Sequence, residues 1–505
     1  MSAGTVGRAH TLSLLGLDAV PILVEAVQLN GLPSFTIVGL PDAAVNEARE
    51  RLRAGFHAIG LPWPNRRLTV NLSPADVSKS GTGFDLAIAA AILGSMGFRL
   101  PPGVTVMGEL GLDGSVRGVR GVLPALVAAS EQGVGRAIVP VANRAEAELV
   151  DGIDVAAVRH LGEVGSMCGA PCEFSMPSVP ESAPDVHVET EPDLDLSDVY
   201  GQEAAIAALE VAATGGHHMI MVGSPGVGKS MLARRLPGIL PRLTDEAALE
   251  VAAVSSLVGR QLAVLPQEPP FAAPHHTASP SAMVGGGSGI ARPGAITLAH
   301  RGVLFCDEFP EFAPRVIQAL RQPMEDGYID IARAKAAVRF PARFQLVAAA
   351  NPCRCGAILD APSSCTCTSR DNRMYQASLG GPVRDRIDIQ TIVRRPSKAD
   401  LRRGGTITSA EVHERVSEAR LRQIHRLEGS GFDCNAHVSG KWLRANTTLP
   451  ERSRTVFEEA MARGDMSLRG FDRILRLAWS VADLAGHEHP SDDDLALAFT
   501  LRRGA

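Results

Sequence analysis

One stretch constrains this chain more than any other: Gly223-Ser-Pro-Gly-Val-Gly-Lys-Ser230. It follows the apolar run Met219-Ile-Met-Val222 and precedes the helix-like Met231-Leu-Ala-Arg-Arg-Leu236. Strand, tight glycine loop and helix, in that order, make a unit whose backbone N–H groups turn toward phosphate oxygens. The glycines permit that turn, and the helix N-terminus adds a favourable dipole. On this reading Gly223, Ser224, Pro225, Gly226, Val227 and Gly228 cradle the phosphates. Lys229 reaches the β/γ-phosphates and Ser230 holds Mg2+.

A loop of this kind requires an acidic partner, and Gly302-Val-Leu-Phe-Cys-Asp-Glu308 supplies one. Its apolar residues predict a buried strand that delivers two acids at its C-terminal end, where open parallel sheets bind ligands. Asp307 is assigned to the Mg2+ shell. Glu308 is assigned to orienting and deprotonating the attacking water. Leu346-Val-Ala-Ala-Ala-Asn351 is a further buried strand. The order of motifs makes Asn351 a sensor of the γ-phosphate, although a lone Asn after a strand also suits a turn.

Four cysteines follow as Cys353-Arg-Cys355 and Cys365-Thr-Cys367, separated by a loop rich in Gly, Pro, Ser and Asp. Four thiolates can close a tetrahedral Zn2+ site and pin a loop that has little core of its own. Unliganded or redox-sensitive thiols are the other reading. Cys168 and Cys172 have no second pair nearby and read as ordinary packing. His275 and His276 are adjacent, so they do not easily face one metal, and they read as structural or substrate-loop residues. Arg333 and Lys335 lie on a predicted hairpin between Tyr328-Ile-Asp-Ile331 and Val338-Arg-Phe340. That hairpin is either a contact for nucleic-acid phosphate or a solvated turn.

Upstream of these motifs, Ala19–Val27 and Ser34–Val38 read as strands joined by a turn, and Asp42–Ile59 has helical spacing with Asp42 as N-cap. Arg67–Leu72 is another strand, and Phe84–Leu93 and Gly121–Ser130 read as apolar helices. Downstream, Ser409–Leu427, Pro450–Arg463, Leu468–Gly486 and Ser491–Leu501 read as helices, with a capping-box-like start at Ser491 and Asp494. The domains expected are 1–166, an acidic linker 167–197, the core 198–395, and a helical unit 396–505.

Charge identifies no partner. Glu173–Asp198 carries eight acids and no Lys or Arg, and removing it turns the formal charge of −5 into +3. Apolar runs are too short for a membrane span, the start lacks signal-peptide features, and eight cysteines in 505 residues make no secreted disulfide scaffold. A cytoplasmic location is expected.

The stretches "GLPSFTIVGLPDAAVNEARERLRAG", "LTVNLSPADVSKSGTGFDLAIAAAIL", "GELGLDGSVRGVRGVLPAL" and "ARPGAITLAHRGVLFCDEFPEF" resemble the ComM/YifB family of magnesium-chelatase-like AAA+ ATPases. The resemblance implies an α/β fold: an AAA+ P-loop NTPase core with a helical C-terminal lid. Ahead of it stands an α+β domain similar to the proteolytic domain of Lon proteases. That domain lacks the serine–lysine dyad here, since the loop reads Lys79-Ser-Gly-Thr-Gly-Phe-Asp85 and Leu123 takes the lysine's place, so peptide hydrolysis is not expected. By resemblance Arg386 is the finger that reaches a neighbouring subunit's site, with Arg384 as rival, and Arg469 is the second sensor in the lid. The residues by themselves also allow Arg469 as helix-surface charge. Val199–Gln202 would lie near the adenine base. The family implies ATP and Mg2+, a homo-oligomeric ring, expected as a hexamer, and action on single-stranded or branched DNA in recombination and competence, with recombination proteins as partners. The alternative is a chelatase-like remodeller of a partner protein.

Overall fold

The computed structural model describes residues 5–504 except 78, 80, 177–193, 288–290, 333–336, 361, 379 and 380. Ser80, Arg333 and Lys335 therefore lie outside the described residues. Among the described residues no helix is long and apolar enough to cross a membrane.

The N-terminal unit is built on strands β1 (Val6–Leu15), β2 (Asp18–Leu29) and β3 (Ser34–Val38), helix α1 (Ala48–Ala58), β4 (Arg67–Ser73), helix α2 (Asp85–Ser95), β5 (Val104–Val106), helix α3 (Val122–Glu131), β6 (Arg136–Pro140) and β7 (Asp154–Val158). The seven strands form one mixed sheet in the order β3-β4-β2-β1-β5-β6-β7. Helix α2 reads Asp-Leu-Ala-Ile-Ala-Ala-Ala-Ile-Leu-Gly-Ser, apolar on nearly every side, and all eleven residues are buried. Its one charge, Asp85, is met by Arg51, which donates from Nε to Oδ2 at 2.6 Å.

The sequence suggests that β2 and β3 are directly paired, and the structure corrects this. They flank β4, which pairs antiparallel with β2 and parallel with β3. The cause is α1, which buries Ala48, Leu52, Gly55 and Phe56 and needs a sheet beneath it. A β–α–β crossover supplies that cover only if its two strands run parallel. The predicted helix is also broken at Glu47, although Asp42 does cap its first turn, accepting from the Val45 N–H at 2.9 Å. Strand β1 carries little apolar alternation in Val-Gly-Arg-Ala-His-Thr and has no counterpart in the sequence reading. The unit's packing continues to Phe174, whose ring stacks on His160 with centroids 5.0 Å apart.

The core begins with Leu196, buried in the main apolar cluster of that unit. Helix α4 (Glu203–Gly215) leads to β8 (Met219–Val222), α5 (Lys229–Arg235) and α6 (Asp245–Leu257). Then come β9 (Phe271–Ala272), β10 (Val303–Cys306), the hairpin β11 (Tyr328–Ala332) and β12 (Ala337–Pro341), β13 (Gln345–Ala350) and β14 (Ile389–Ile392). The central sheet runs β9-β10-β13-β8-β14, with every pairing parallel. Two units meet where α3 packs on α6: Leu123 and Leu126 share an apolar cluster with Ala252 and Leu249.

The C-terminal unit is helical, with α7 (Ser409–Leu427), α8 (Leu468–Ala485) and α9 (Asp492–Arg503) as its main helices. Capping boxes start α7 at Thr408/Glu411 and α9 at Ser491/Asp494. Helix α8 lays its apolar face against α4, burying Ile474, Leu475, Ala478 and Trp479.

Candidate active site

Parallel pairing sends the C-terminal ends of all five central strands to one edge. The loop 223–230 leaves β8 there, Asp307 and Glu308 leave β10, and Asn351 leaves β13, the strand between them. The loop's glycines meet the two demands of a phosphate cradle. Gly226 and Gly228 have φ of +75° and +102°, and a Cβ on either would point into open space. Gly223 is instead a close approach, since a Cβ there would lie 2.3 Å from the Val393 carbonyl oxygen.

Lys229 is 8% exposed and folds back over its loop. Its Nζ donates to the Gly223 carbonyl at 2.5 Å, the Ser224 carbonyl at 3.0 Å and Asn351 Oδ1 at 3.1 Å. Burial lowers its pKa below the usual lysine value, against the opposing pull of Asp307 and Glu308. The Ser230 hydroxyl donates to Asp307 Oδ2 at 2.7 Å, so the two residues assigned to Mg2+ stand together. A hydroxyl and a carboxylate oxygen are the hard donors that Mg2+ takes. The open glycine cradle, buried ammonium and oxygen pair therefore fit a magnesium–nucleotide.

Glu308 has φ +50°, and its N–H donates to Asp307 Oδ1 at 2.9 Å. Its carboxylate meets His276, with Nδ1 to Oε2 at 3.0 Å. Gln202 is buried and its amide donates to the Val227 carbonyl at 3.3 Å and to the Arg394 carbonyl. That ties the start of α4 to the phosphate loop and to the end of β14.

The two arginine candidates separate. Arg384 is exposed, whereas Arg386 has a side chain 11% exposed and is bonded to Glu325. Arg469 is exposed on the first turn of α8, and among the described residues no recorded hydrogen bond joins it to the phosphate loop. Its neighbour Arg473 is buried, 3.7 Å from Asp388 Oδ1 at the opposite edge of the sheet. Asp388 also receives His217 Nδ1 at 3.2 Å, and His217 Nε2 lies 2.7 Å from Ser480 Oγ in the lid.

The four cysteines converge. Cys353 Sγ is 3.4 Å from Cys355 Sγ and 3.9 Å from Cys365 Sγ, and Cys355 and Cys365 are 3.5 Å apart. The Cys355 N–H donates to Cys367 Sγ at 3.4 Å, and all four sulfurs fall within 4.8 Å of one another. A tetrahedral zinc–thiolate centre has sulfurs about 3.8 Å apart, given bonds of about 2.3 Å. The turn rests on the phosphate loop, since a Cβ on Gly356 would lie 2.6 Å from Pro225 Cδ. Cys168 and Cys172 instead pack within the N-terminal core.

Sequence reasoning left out the partners. The Arg386–Glu325 pair, the two hydrogen bonds of Gln202 and the His276–Glu308 contact join residues far apart in the chain. Only the last had a local signal, the His275-His276 pair itself.

Comparison with known proteins matches this chain to three magnesium-chelatase families. "Magnesium chelatase, subunit ChlI" covers residues 195–401, "Subunit ChlI of Mg-chelatase" covers 24–143, and "Magnesium chelatase, subunit ChlI C-terminal" covers 406–502. An uncharacterized protein of Mycobacterium tuberculosis is 44% identical over 99% of both chains. Competence protein ComM of Haemophilus influenzae is 39% identical over 97% of this chain and 96% of its own. The uncharacterized protein YifB of Escherichia coli is 38% identical over 94% and 92%. A partial likeness to Lon protease 2 of Bacillus subtilis, 32% identical over 26% of this chain and 25% of its own, fits the Lon-like N-terminal domain. With a parallel-sheet AAA+ core, a helical lid and full-length relatives of both names, the chain belongs to the ComM/YifB family of magnesium-chelatase-like AAA+ proteins.

Proposed function

We propose that this protein is an ATP-hydrolysing ring motor that acts on DNA, driving branch migration in homologous recombination or natural transformation. The observation that carries the ATPase reading is the convergence of Lys229, Ser230, Asp307, Glu308 and Asn351 at one edge of a parallel sheet. The loop binds the phosphates, and Lys229 leaves its loop carbonyls for the β/γ oxygens. Ser230 and Asp307 hold Mg2+, which when bound neutralises charge on the phosphate oxygens. Glu308 takes the proton of the attacking water, and Asn351 senses the γ-phosphate from between them. Arg386, released from Glu325, reaches the site of the next subunit, which makes a closed ring the natural assembly. Arg469 reports nucleotide state to the lid.

The DNA reading draws its support from the likeness to the competence protein ComM over nearly the whole chain. ATP turnover measured with and without forked or four-way DNA, for wild type and Glu308→Gln, tests both parts. Stimulation by DNA together with branch movement supports the motor. Robust turnover without DNA binding at low salt moves the client to a partner protein.

We also propose a structural Zn2+ at Cys353, Cys355, Cys365 and Cys367, from the mutual sulfur distances. Protein purified without added zinc should carry about one zinc per chain, and a content under about 0.2 rejects the site.

A further inference from the structure

Strands β9 and β10 run parallel, with Phe271 opposite Val303 and Ala272 opposite Leu304. Carried four residues beyond Ala272 and Leu304, that register sets position 276 level with position 308. The side chains meet there, His276 Nδ1 lying 3.0 Å from Glu308 Oε2. The contact joins two segments that leave the same edge of the sheet beyond the paired residues.

Both sides of the contact are anchored. The His275 ring lies against His276 with centroids 4.2 Å apart, and His275 Nδ1 is 2.8 Å from Thr277 Oγ1. The backbone of Glu308 is held in the left-handed region at φ +50° by its N–H bond to Asp307. Its side chain, however, is 52% exposed. An exposed glutamate has several rotamers, whereas a carboxylate that aims a water must keep one. The neighbouring groups are already engaged: Asp307 with Ser230, and Lys229 with Gly223, Ser224 and Asn351.

The geometry points to His276 as a positioning residue for Glu308, its imidazole fixing the carboxylate in the orientation that aims the attacking water. This rests on the role of Glu308 proposed above. Among the described residues no hydrogen bond or ion pair joins His276 to the loop 223–230; its contacts are to Glu308 and His275, so its loss should act on turnover and leave nucleotide affinity alone.

The test is steady-state ATP turnover by the full-length protein, with MgATP affinity measured separately by a fluorescent analogue. His276→Ala should lower kcat about tenfold or more, with KM and affinity within about twofold of wild type. His276→Gln, which keeps an N–H donor, should recover most of the lost rate, and unchanged nucleotide affinity certifies that both variants fold. Wild-type kcat in His276→Ala, a rise in kcat, or a parallel loss of affinity overturns the inference. If Glu308→Gln itself turns over ATP at the wild-type rate, the failure lies instead in the role assigned to Glu308.

Discussion

Two loops of this protein carry a buried lysine beside glycines, and they differ in what their sheets bring to them. Lys79, in Lys-Ser-Gly-Thr-Gly, is 0% exposed and donates to the Pro74 carbonyl of its own loop. Desolvation lowers its pKa, and the acid that opposes the shift is Asp76, three residues away. Lys229, in Gly-Val-Gly-Lys-Ser, is buried nearly as well, yet Asp307 and Glu308 oppose its shift from 78 and 79 positions away. A buried ammonium near glycines is therefore held within its own loop in one place and stands among the candidate site residues in the other. The difference is the parallel sheet, which collects three strand ends around Lys229. Position 123, where the resemblance looks for the protease lysine, holds a leucine that helps dock the N-terminal unit on the AAA+ core.

The comparison breaks first at the residues proposed to serve the Lys229 loop. Replacing Arg386 with Ala should cost about a thousandfold in turnover if the residue is a finger. Mixing that variant with Glu308→Gln should restore part of the activity, because some interfaces then pair an intact finger with an intact glutamate. Activity that stays flat on mixing removes the trans role. Glu308→Gln alone should cost about a hundredfold or more while MgATP binding persists. Binding and turnover lost together would make Glu308 a binding residue.

The other loop gives the opposite expectation. Lys79→Met should leave ATP turnover within about twofold and change stability by no more than about 1 kcal/mol, since an apolar side chain avoids the desolvation of a buried charge. Chemical denaturation and a turnover assay on the same sample check both. A large loss of turnover would give Lys79 a role in ATP hydrolysis.

The smallest effect concerns α6, the helix that joins the two regions. Glu250 accepts from His300 at 3.0 Å and from Arg301 at 2.6 Å, and these contacts hold its pKa down at about 2. With the folded value depressed, the stabilisation is present above the unfolded value near 4.3 and is lost as pH falls toward about 2. The carboxylate is 42% exposed, so solvent screening keeps the effect to about 1 kcal/mol or less. The thermal midpoints of wild type and Glu250→Gln should converge across that window and differ above it.

Legibility in the sequence followed range. The loop 223–230, Asp307, Glu308 and Asn351 were readable because each sits at the end of a short apolar strand, a local pattern. The lid helices were readable because caps and periodicity are local too, as at Thr408/Glu411 and Ser491/Asp494. Strand β1 is not legible in the sequence because its polar residues hide the alternation, and the turn after β2 suggests a hairpin with β3 until α1 demands a crossover. Arg469 and Arg473 lie four residues apart on α8, yet one is exposed and the other is turned into the buried network at Asp388.

By itself the sequence determined that this chain builds a strand, a glycine cradle and an acid-tipped strand, because backbone freedom and apolar runs act over a few residues. The tertiary structure alone decided which groups meet: Lys229 with Asn351, Ser230 with Asp307, His276 with Glu308, Arg386 with Glu325. Strand order and register set those distances, and they depend on which faces the whole chain can bury together.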